Sequence, residues 1–259
     1  MKIWITGASS GIGEALAYAF AREGAHLILS ARNKNELERV KNKCIGAQQV
    51  DIIPLDLANH GEIFSIVNNA LKIYKNIDVL VNNAGLSQRS AASDTDFSVD
   101  TQLINVNLLG TIAITKAVLP SMLAQKKGNI IVITSIMGKL GAPLRSSYAA
   151  AKHGLHGFFD TLRAETHAQG IRVLLVTPGF VRTNISINAL TADGKNQGSM
   201  DEATGKGIDP NEVAQKIIAA MKAGKEEIII AGMRERFALL MKRLAPRILN
   251  KIVRNAKTT

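Results

Sequence analysis

The chain has one cysteine, Cys44, which excludes an internal disulfide. No basic-then-apolar leader precedes Lys2–Thr6, which already have the pattern of a core strand. The longest apolar runs are shorter than the roughly 20 residues that a membrane-spanning helix needs. No linker composition, internal repeat or low-complexity tract divides the chain. We therefore expect one unprocessed, cytosolic domain.

The residues that are present are those of a soluble globular protein. Of 259 residues, 46% are hydrophobic and 20% charged, enough to bury the core of one large α/β domain. Short apolar runs alternate with helical patterns, which predicts a doubly wound, seven-stranded parallel sheet with helices on both faces. The predicted strands are Lys2–Thr6, Ala25–Ser30, Val50–Leu55, Asp78–Val81, Asn129–Thr134, Ile171–Val176 and Glu226–Ile230. The predicted helices are Gly11–Arg22, Lys34–Lys43, Asn59–Tyr74, Asp96–Gln125, Ser147–Gln169 and Pro210–Ala223.

A glycine-rich segment follows the first predicted strand. Gly7, Gly11 and Gly13 allow a tight turn there and let backbone N–H groups approach a pyrophosphate at a helix N-terminus. Alone this signal is weak, since such turns also occur for conformational reasons. The second strand ends at Ala31 and Arg32 rather than at an acidic residue, and an arginine can bind a 2′-phosphate. This favours NADPH over NADH as the cofactor.

Tyr148 and Lys152 are four residues apart in a predicted helix and so lie on the same face of it. A phenol is a poor acid at neutral pH, and a nearby ammonium lowers its pKa. Tyr148 is therefore a candidate proton donor to a carbonyl oxygen, which points to a reductase. His153 and His156 have no third ligand at metal-like spacing, so we expect no metal site. Ser135 lacks the Gly-x-Ser-x-Gly elbow of a hydrolase.

Six motifs occur in an order that resembles the short-chain dehydrogenase/reductase family over the whole chain. They are Thr6-Gly-x-x-x-Gly11-x-Gly13, Asn82-Asn-Ala-Gly85, Asn107-Leu-Leu-Gly110, Ser135, Tyr148-x-x-x-Lys152 and Pro178-Gly179 followed by Thr183. The segments 145–153, 182–186 and 189–194 are similar to the dehydrogenase/reductase subgroup called member 7B. The resemblance implies a single Rossmann-type NAD(P)-binding domain over residues 1–259.

The resemblance also implies a role for each matching residue. Tyr148 would be the acid/base, and Lys152 would lower its pKa and bind the nicotinamide ribose. Ser135 would hold the substrate oxygen, and Asn107 would position a water in a proton relay. The implied cofactor-binding residues are Gly7, Ser9, Ser10, Gly11, Ile12, Gly13, Arg32, Asp56, Leu57, Asn83, Ala84, Gly85, Tyr148, Lys152, Pro178, Gly179, Val181 and Thr183.

A long segment rich in turn formers, residues 184–208, is typical of a substrate loop or lid. With residues 87–90 and 136–144 it would build the substrate pocket. The apolar residues expected there favour a lipophilic ketone or aldehyde: Ile136, Met137, Leu140, Leu144, Phe180, Ile185 and Leu190. Arg89 and Arg145 would be solvated surface residues or, less readily, handles for an anionic headgroup.

The net charge of +11 is concentrated near the C-terminus, where Met233–Thr259 contain eight basic residues and one acid. Apolar residues at helical spacing predict two amphipathic helices over residues 233–257. They would cover the domain's own core or a subunit interface, or contact acidic lipid headgroups as a peripheral membrane site. Nucleic acid is the weakest alternative, because the tail has one aromatic residue, and we expect no nucleic-acid partner.

Three functions stay open at this point. We favour an NADPH-dependent oxidoreductase for lipophilic carbonyl compounds. A 3-oxoacyl-[acyl-carrier-protein] reductase would use the same four catalytic residues and bind its acidic carrier through the basic surface. A redox sensor that holds NADPH without turnover is the alternative from another class. By analogy with related folds, the helices over residues 96–125 and 147–169 would pair in a homodimer or homotetramer.

Overall fold

Seven parallel strands form the centre of the computed structural model, which describes residues 1–254. They form one sheet in the order β3-β2-β1-β4-β5-β6-β7. The order reverses between β1 and β4, as the doubly wound prediction requires. The strands are β1 (Lys2–Thr6), β2 (His26–Ser30), β3 (Gln49–Ile52), β4 (Val79–Asn82), β5 (Gly128–Ile133), β6 (Ile171–Pro178) and β7 (Glu227–Ile230).

Helices cover both faces of this sheet and confirm the predicted Rossmann-type architecture. Within residues 1–254 they are α1 (Gly11–Arg22), α2 (Lys34–Lys41), α3 (His60–Tyr74), α4 (Phe97–Ile104), α5 (Gly110–Gln125), α6 (Ser146–Thr166), α7 (Glu202–Gly205), α8 (Pro210–Lys222), α9 (Met233–Leu244) and α10 (Pro246–Arg254). Most predicted boundaries agree within three residues. The third strand ends three residues earlier than predicted: β3 stops at Ile52 ahead of Pro54, which has no N–H to donate.

Alternate residues of the strands pack on opposite faces of the sheet. In β1, Ile3 and Ile5 belong to the core shared with α1, α2 and α8, whereas Trp4 belongs to the core shared with α3, α5 and α6. All three side chains are fully buried. Burial on both faces explains why the strands read as continuous apolar runs rather than as alternating patterns.

The helix predicted over residues 96–125 contains a π-helical turn, Asn105–Leu109, between α4 and α5. One extra residue in a turn widens the helix and redirects its side chains, and such turns often occur at functional sites. The expectation that every apolar segment is too short to span a bilayer is wrong, because Phe97–Gln125 is long and apolar enough when only length and composition are considered. Half of its most apolar window is buried in the fold, as in the core helix of a soluble protein.

The two C-terminal helices occur as predicted, with Pro246 in the first turn of α10. Residues 255–257 of the predicted segment lie outside the described residues. Helix α9 has no buried residue, and α10 has only Leu249. The interpretation that these helices cover the domain's own core is therefore wrong, because most of their apolar side chains remain exposed.

Candidate functional site

A cleft of about 830 Å³ lies at the carboxyl ends of the strands, where the strand order reverses. Parallel sheets of this kind bind their ligands at this position. The predicted cofactor-binding residues all line the cleft except Gly13. Of the predicted catalytic residues, Ser135, Tyr148 and Lys152 line it and Asn107 does not.

The glycine-rich turn forms one wall of the cleft. Gly7 and Gly11 have φ angles of +64° and +58°, which disfavour any residue with a Cβ atom. The side chain of Ser10 makes no capping hydrogen bond to α1, so N–H groups of the first turn remain for an anion. Gly13 is buried instead, and a Cβ atom there would lie 2.3 Å from the Gly7 carbonyl oxygen. Gly13 therefore serves helix packing rather than direct contact.

Next to this turn lie the polar residues expected on the adenosine side of the cofactor. Arg32 is exposed at the cleft and forms no ion pair within residues 1–254. The Asp56 carboxylate accepts a hydrogen bond from the Ala58 N–H at 2.9 Å. The side-chain amide of Asn83 donates to the carbonyl oxygens of Thr6 and Gly7 at 3.1 and 3.0 Å. A free cation and an uncapped helix N-terminus together fit a phosphorylated dinucleotide.

Ser135, Tyr148 and Lys152 come together where β5 ends and α6 begins. The Ser135 hydroxyl accepts a hydrogen bond from the Met137 N–H at 3.1 Å and is hydrogen-bonded to the side chain of Tyr148. The Lys152 ammonium donates to the Ile133 carbonyl oxygen at 2.9 Å and lies 5.8 Å from the centre of the Tyr148 ring. A carbonyl group near Ser135 would therefore meet two hydroxyl donors.

Burial dominates the ionisation of both central groups. It raises the pKa of the Tyr148 phenol, against the hydrogen bond from Ser135 and the charges of Arg145 and Arg89. It lowers the pKa of Lys152 to about 8. The expectation that Lys152 lowers the Tyr148 pKa is therefore wrong in this structure: the net direction is upward, and the cations that oppose it are arginines. A raised pKa keeps Tyr148 protonated near neutral pH.

Asn107 lies in the π-helical turn and is fully buried. Its amide nitrogen donates to the Leu86 carbonyl oxygen at 2.9 Å, and its amide oxygen accepts from the Leu86 N–H at 2.7 Å. A Cβ atom at Gly85 would lie 2.8 Å from that oxygen and 3.6 Å from the Lys152 nitrogen. Asn107 therefore fixes the loop after β4 beside Lys152 instead of facing the cleft.

Gln88 is a buried residue that the sequence placed only within the pocket segment 87–90, with no role of its own. Its amide oxygen accepts from the N–H groups of Ser147 and Tyr148 at 3.0 and 3.3 Å and so caps the start of α6. Its amide nitrogen donates to hydroxyls that include Ser146 at 3.2 Å. Gln88 thus positions the helix turn that carries Tyr148. The only sequence signal is its place just after the Asn82–Gly85 motif.

Two arginines expected at the surface are buried beside Tyr148. The side chains of Arg89 and Arg145 are each 6% exposed, and that of Asp201 is 1% exposed. Arg89 Nε donates to Asp201 Oδ2 at 2.9 Å, and Arg145 Nη2 lies 3.5 Å from the same oxygen. Burial raises the pKa of Asp201, but hydrogen bonds from Arg89 and Gln197 and the two arginine charges bring it below its usual range. The solvated interpretation is wrong, because Asp201 of the substrate loop pairs with Arg89 in the loop after β4 and with Arg145 at the start of α6.

Residues 184–208 are also joined to the loop after β4 through the backbone. The Leu190 N–H donates to the Ser87 carbonyl oxygen at 2.9 Å, and the Arg89 N–H donates to the Leu190 carbonyl oxygen at 2.8 Å. Further along, the Asp96 N–H donates to the Ala192 carbonyl oxygen at 2.9 Å. The segment predicted as a lid thus closes one side of the cleft as an ordered, hydrogen-bonded loop.

The substrate end of the cleft is less apolar than the sequence predicts. Of the seven apolar residues expected there, only Ile185 and Leu190 line the cleft. Ile136 and Leu140 are instead buried. The same end carries four amide side chains, those of Gln102, Asn184, Asn188 and Asn196. The predicted pocket is therefore corrected to one of mixed polarity.

Comparisons with known proteins agree with this architecture. The family model described as short chain dehydrogenase matches residues 1–193. The Bos taurus dehydrogenase/reductase SDR family member 7B is 40% identical over 249 residues, which cover 93% of this chain and 77% of that protein. A short-chain dehydrogenase from Streptomyces avermitilis superposes with a TM-score of 0.84 at 28% identity, covering 99% of this chain and 98% of that one.

An alcohol dehydrogenase from the archaeon Thermococcus sibiricus is also similar. Its structure, complexed with 5-hydroxy-NADP, has a TM-score of 0.76 at 27% identity, covering 88% of this chain and 95% of that one. The resemblance inferred from the six motifs and from residues 145–153 is confirmed by these similarities.

Proposed function

The chain belongs to the short-chain dehydrogenase family, and we propose that it is an NADPH-dependent oxidoreductase that interconverts a lipophilic ketone or aldehyde and its alcohol. One observation carries the proposal: Ser135, Tyr148 and Lys152 line the same cleft as the glycine-rich turn. The catalytic hydroxyls and the phosphate-binding backbone are therefore within reach of one dinucleotide and one small substrate.

Arg32 supports the choice of NADPH. Its guanidinium lies at the cleft without an ion pair in the described part of the chain, so it is available to a 2′-phosphate. The NADP analogue bound to the Thermococcus sibiricus enzyme supports the same cofactor. When bound, NADPH supplies a hydride to the substrate carbonyl carbon.

The protein's own residues handle the charge that develops on the substrate oxygen. Tyr148 donates its phenolic proton to that oxygen, and Ser135 donates a hydrogen bond to it. Both interactions strengthen as negative charge grows, so they stabilise the transition state more than the ground state. Lys152, with a pKa of about 8, is mostly protonated at neutral pH and would bind the nicotinamide ribose, while the charges of Arg145 and Arg89 favour the phenolate that remains. Asn107 acts as a positioning residue through the loop after β4.

The substrate class is supported by the rim of the cleft. Ile185 lines the cleft and is 36% exposed. Phe180 is 39% exposed and lies between the cleft-lining residues Gly179 and Val181. These side chains would contact the apolar body of a substrate. The amides of Gln102, Asn188 and Asn196 also line the cleft and would bond polar groups of the substrate.

The test is NADPH oxidation with pairs of carbonyl compounds that differ only in an apolar chain. We expect turnover to favour the long-chain member of each pair. Tyr148→Phe should lose about 10²-fold or more of kcat, the usual contribution of a general acid. Tyr74→Phe, at the far end of α3 from the cleft, is the matched control and should retain activity. Arg32→Ala should raise the KM for NADPH about tenfold without changing that for NADH.

Other outcomes would assign the protein differently. Turnover restricted to acyl-carrier thioesters would identify a 3-oxoacyl reductase. NADPH binding without Tyr148-dependent oxidation on any carbonyl compound would reject the enzyme and favour the sensor.

A further inference from the structure

Exposed apolar and basic side chains share the two C-terminal helices. We call this surface the α9–α10 face. Its apolar residues are between 52% and 86% exposed: Met233, Phe237, Leu240, Leu244, Ile248 and Ile252. Its basic residues are Arg234, Lys242, Arg243, Arg247, Lys251 and Arg254. Such a surface is unusual, because single exposed apolar residues are common on soluble proteins and groups of them are not.

The spacing of the apolar residues places them along one side of each helix. Positions 233, 237, 240 and 244 follow the three- and four-residue steps of one stripe along α9, and positions 248 and 252 do the same on α10. No element within residues 1–254 covers these side chains, since none of the six is buried. The stripe is therefore available to a partner.

The charge of the α9–α10 face selects an anionic partner. None of its six basic side chains forms an ion pair with any other described residue, and Glu235 is the only acid in Met233–Arg254. Arg236 differs from the six, because its guanidinium donates to the Ala231 and Ile229 carbonyl oxygens. The positive charge of this surface is thus not neutralised by the fold itself.

We propose that the α9–α10 face binds the surface of an anionic lipid bilayer. Its apolar stripe would enter the boundary between headgroups and acyl chains, and its basic residues would contact the acidic headgroups. A second copy of the chain is a poorer occupant, because a two-fold contact would bring the same positive charges together. A nucleic acid is also poorer, because Phe237 is the only aromatic side chain on the face.

Helix α9 begins next to the cleft. A Cβ atom at Gly179, which lines the cleft, would be 3.0 Å from the Glu235 carboxylate in the first turn of α9. Position 235 lies on the side of α9 opposite the stripe, so bilayer contact would hold the cleft close to the lipid with α9 between them. A short path for a lipophilic substrate from the bilayer to the cleft is the only consequence that rests on the proposed function. Binding to the bilayer does not rest on it.

The experiment is co-sedimentation of the full chain with vesicles of phosphatidylcholine alone or mixed with phosphatidylserine. Two double variants remove the two components of the face: Arg243→Glu with Arg247→Glu, and Phe237→Ser with Leu244→Ser. The charge control is Lys127→Glu with Lys225→Glu, exposed residues that precede β5 and β7 at the amino ends of the strands, whereas α9 follows the carboxyl end of β7. The apolar control is Ile45→Ser with Ile73→Ser, which are 82% and 71% exposed.

We expect binding only to the vesicles that contain phosphatidylserine, and weaker binding as salt is raised. Each face variant should lose about tenfold or more in partitioning, and neither control should change it appreciably. Equal losses in the charge control would mean that net charge alone drives adsorption, and would overturn the proposal. No binding at low salt would overturn it too. A face variant that lowers the mass in light scattering but leaves vesicle binding unchanged would also overturn the proposal. That result would assign the α9–α10 face to contact with a second copy of the chain. Because sedimentation needs neither substrate nor NADPH, its result is independent of the proposed function.

Discussion

The carboxylate of Asp201 contacts two buried arginines, and we expect Asp201→Asn to destabilise the fold measurably. The substitution keeps the shape of the side chain and removes its charge. Arg89 then loses the partner of its Nε hydrogen bond at 2.9 Å, and Arg145 loses a carboxylate at 3.5 Å. Asparagine can still accept the hydrogen bond that Gln197 donates to Asp201 Oδ1 at 2.8 Å.

The magnitude follows from the burial of the group. Removing one partner of a buried ion pair costs about 3–5 kcal/mol, because the remaining charge stays out of water. Since the asparagine retains one hydrogen bond, we expect the lower end, about 3 kcal/mol of unfolding free energy. Asp209→Asn is the matched control. Asp209 forms an ion pair with Arg182 at 2.6 Å, but their side chains are 41% and 58% exposed. Asparagine also preserves its N-cap of α8, so we expect no measurable change there.

The assay is urea unfolding of the wild type and both variants at several pH values. Folding lowers the pKa of Asp201, so its stabilisation is fully present above the unfolded-state value of about 3.9 and is lost as the pH falls through the folded-state value. The difference between wild type and Asp201→Asn should therefore be constant from pH 8 to 5 and shrink below about pH 4. Equal stability at pH 7, or a difference that begins to shrink above pH 5, would refute this account of the ion pair.

Three further predictions concern the cleft. Gln88→Leu should lower kcat about tenfold or more in steady-state kinetics, and Gln88→Glu should lower it far less. Only the leucine variant loses the side-chain oxygen that accepts from the Tyr148 N–H. For Lys152→Met, the difference in unfolding free energy from the wild type, measured in urea, should grow in favour of the wild type between pH 8 and 10. Over that range the unfolded lysine (pKa about 10.4) holds a proton that the folded one has released. Gly13→Ala should weaken NADPH binding in a fluorescence titration or prevent folding, because its Cβ would lie 2.3 Å from a backbone oxygen. Gly61→Ala, whose Cβ meets nothing closer than 3.8 Å, should do neither.

Local chemistry made much of the fold and the cleft predictable. Strand β1 is apolar at three of its four buried positions, and Gly7 and Gly11, which follow it, need φ angles that few other residues adopt. Tyr148 and Lys152 are on one helix, so their spacing alone places them together. The prediction of Arg32 at the cleft depends only on where β2 ends. Each of these features lies within a few residues of the signal that reveals it.

The features that the sequence did not reveal join distant segments. Asp201 is 112 positions from Arg89, and Gln88 is 59 from Ser147. An arginine has the same local pattern whether water or a buried carboxylate surrounds it, so Arg89 and Arg145 were interpreted as solvated. The prediction of a lowered pKa for Tyr148 is wrong for the same reason. Its pKa depends on burial by elements far along the chain, and the four-residue spacing to Lys152 carries no information about that burial.

The loop after β4, residues 83–90, connects the parts of the cleft that these predictions treat separately. Asn83 bonds the glycine-rich turn, and Leu86 pairs with Asn107 in the π-helical turn. Gln88 caps α6 beside Tyr148, and Arg89 holds Asp201 of the substrate loop. One short segment thus sets the positions of the cofactor turn, the proton donor and the substrate wall. A substitution that shifts its backbone should therefore change cofactor affinity, kcat and substrate KM together, whereas Arg32→Ala should change cofactor affinity alone.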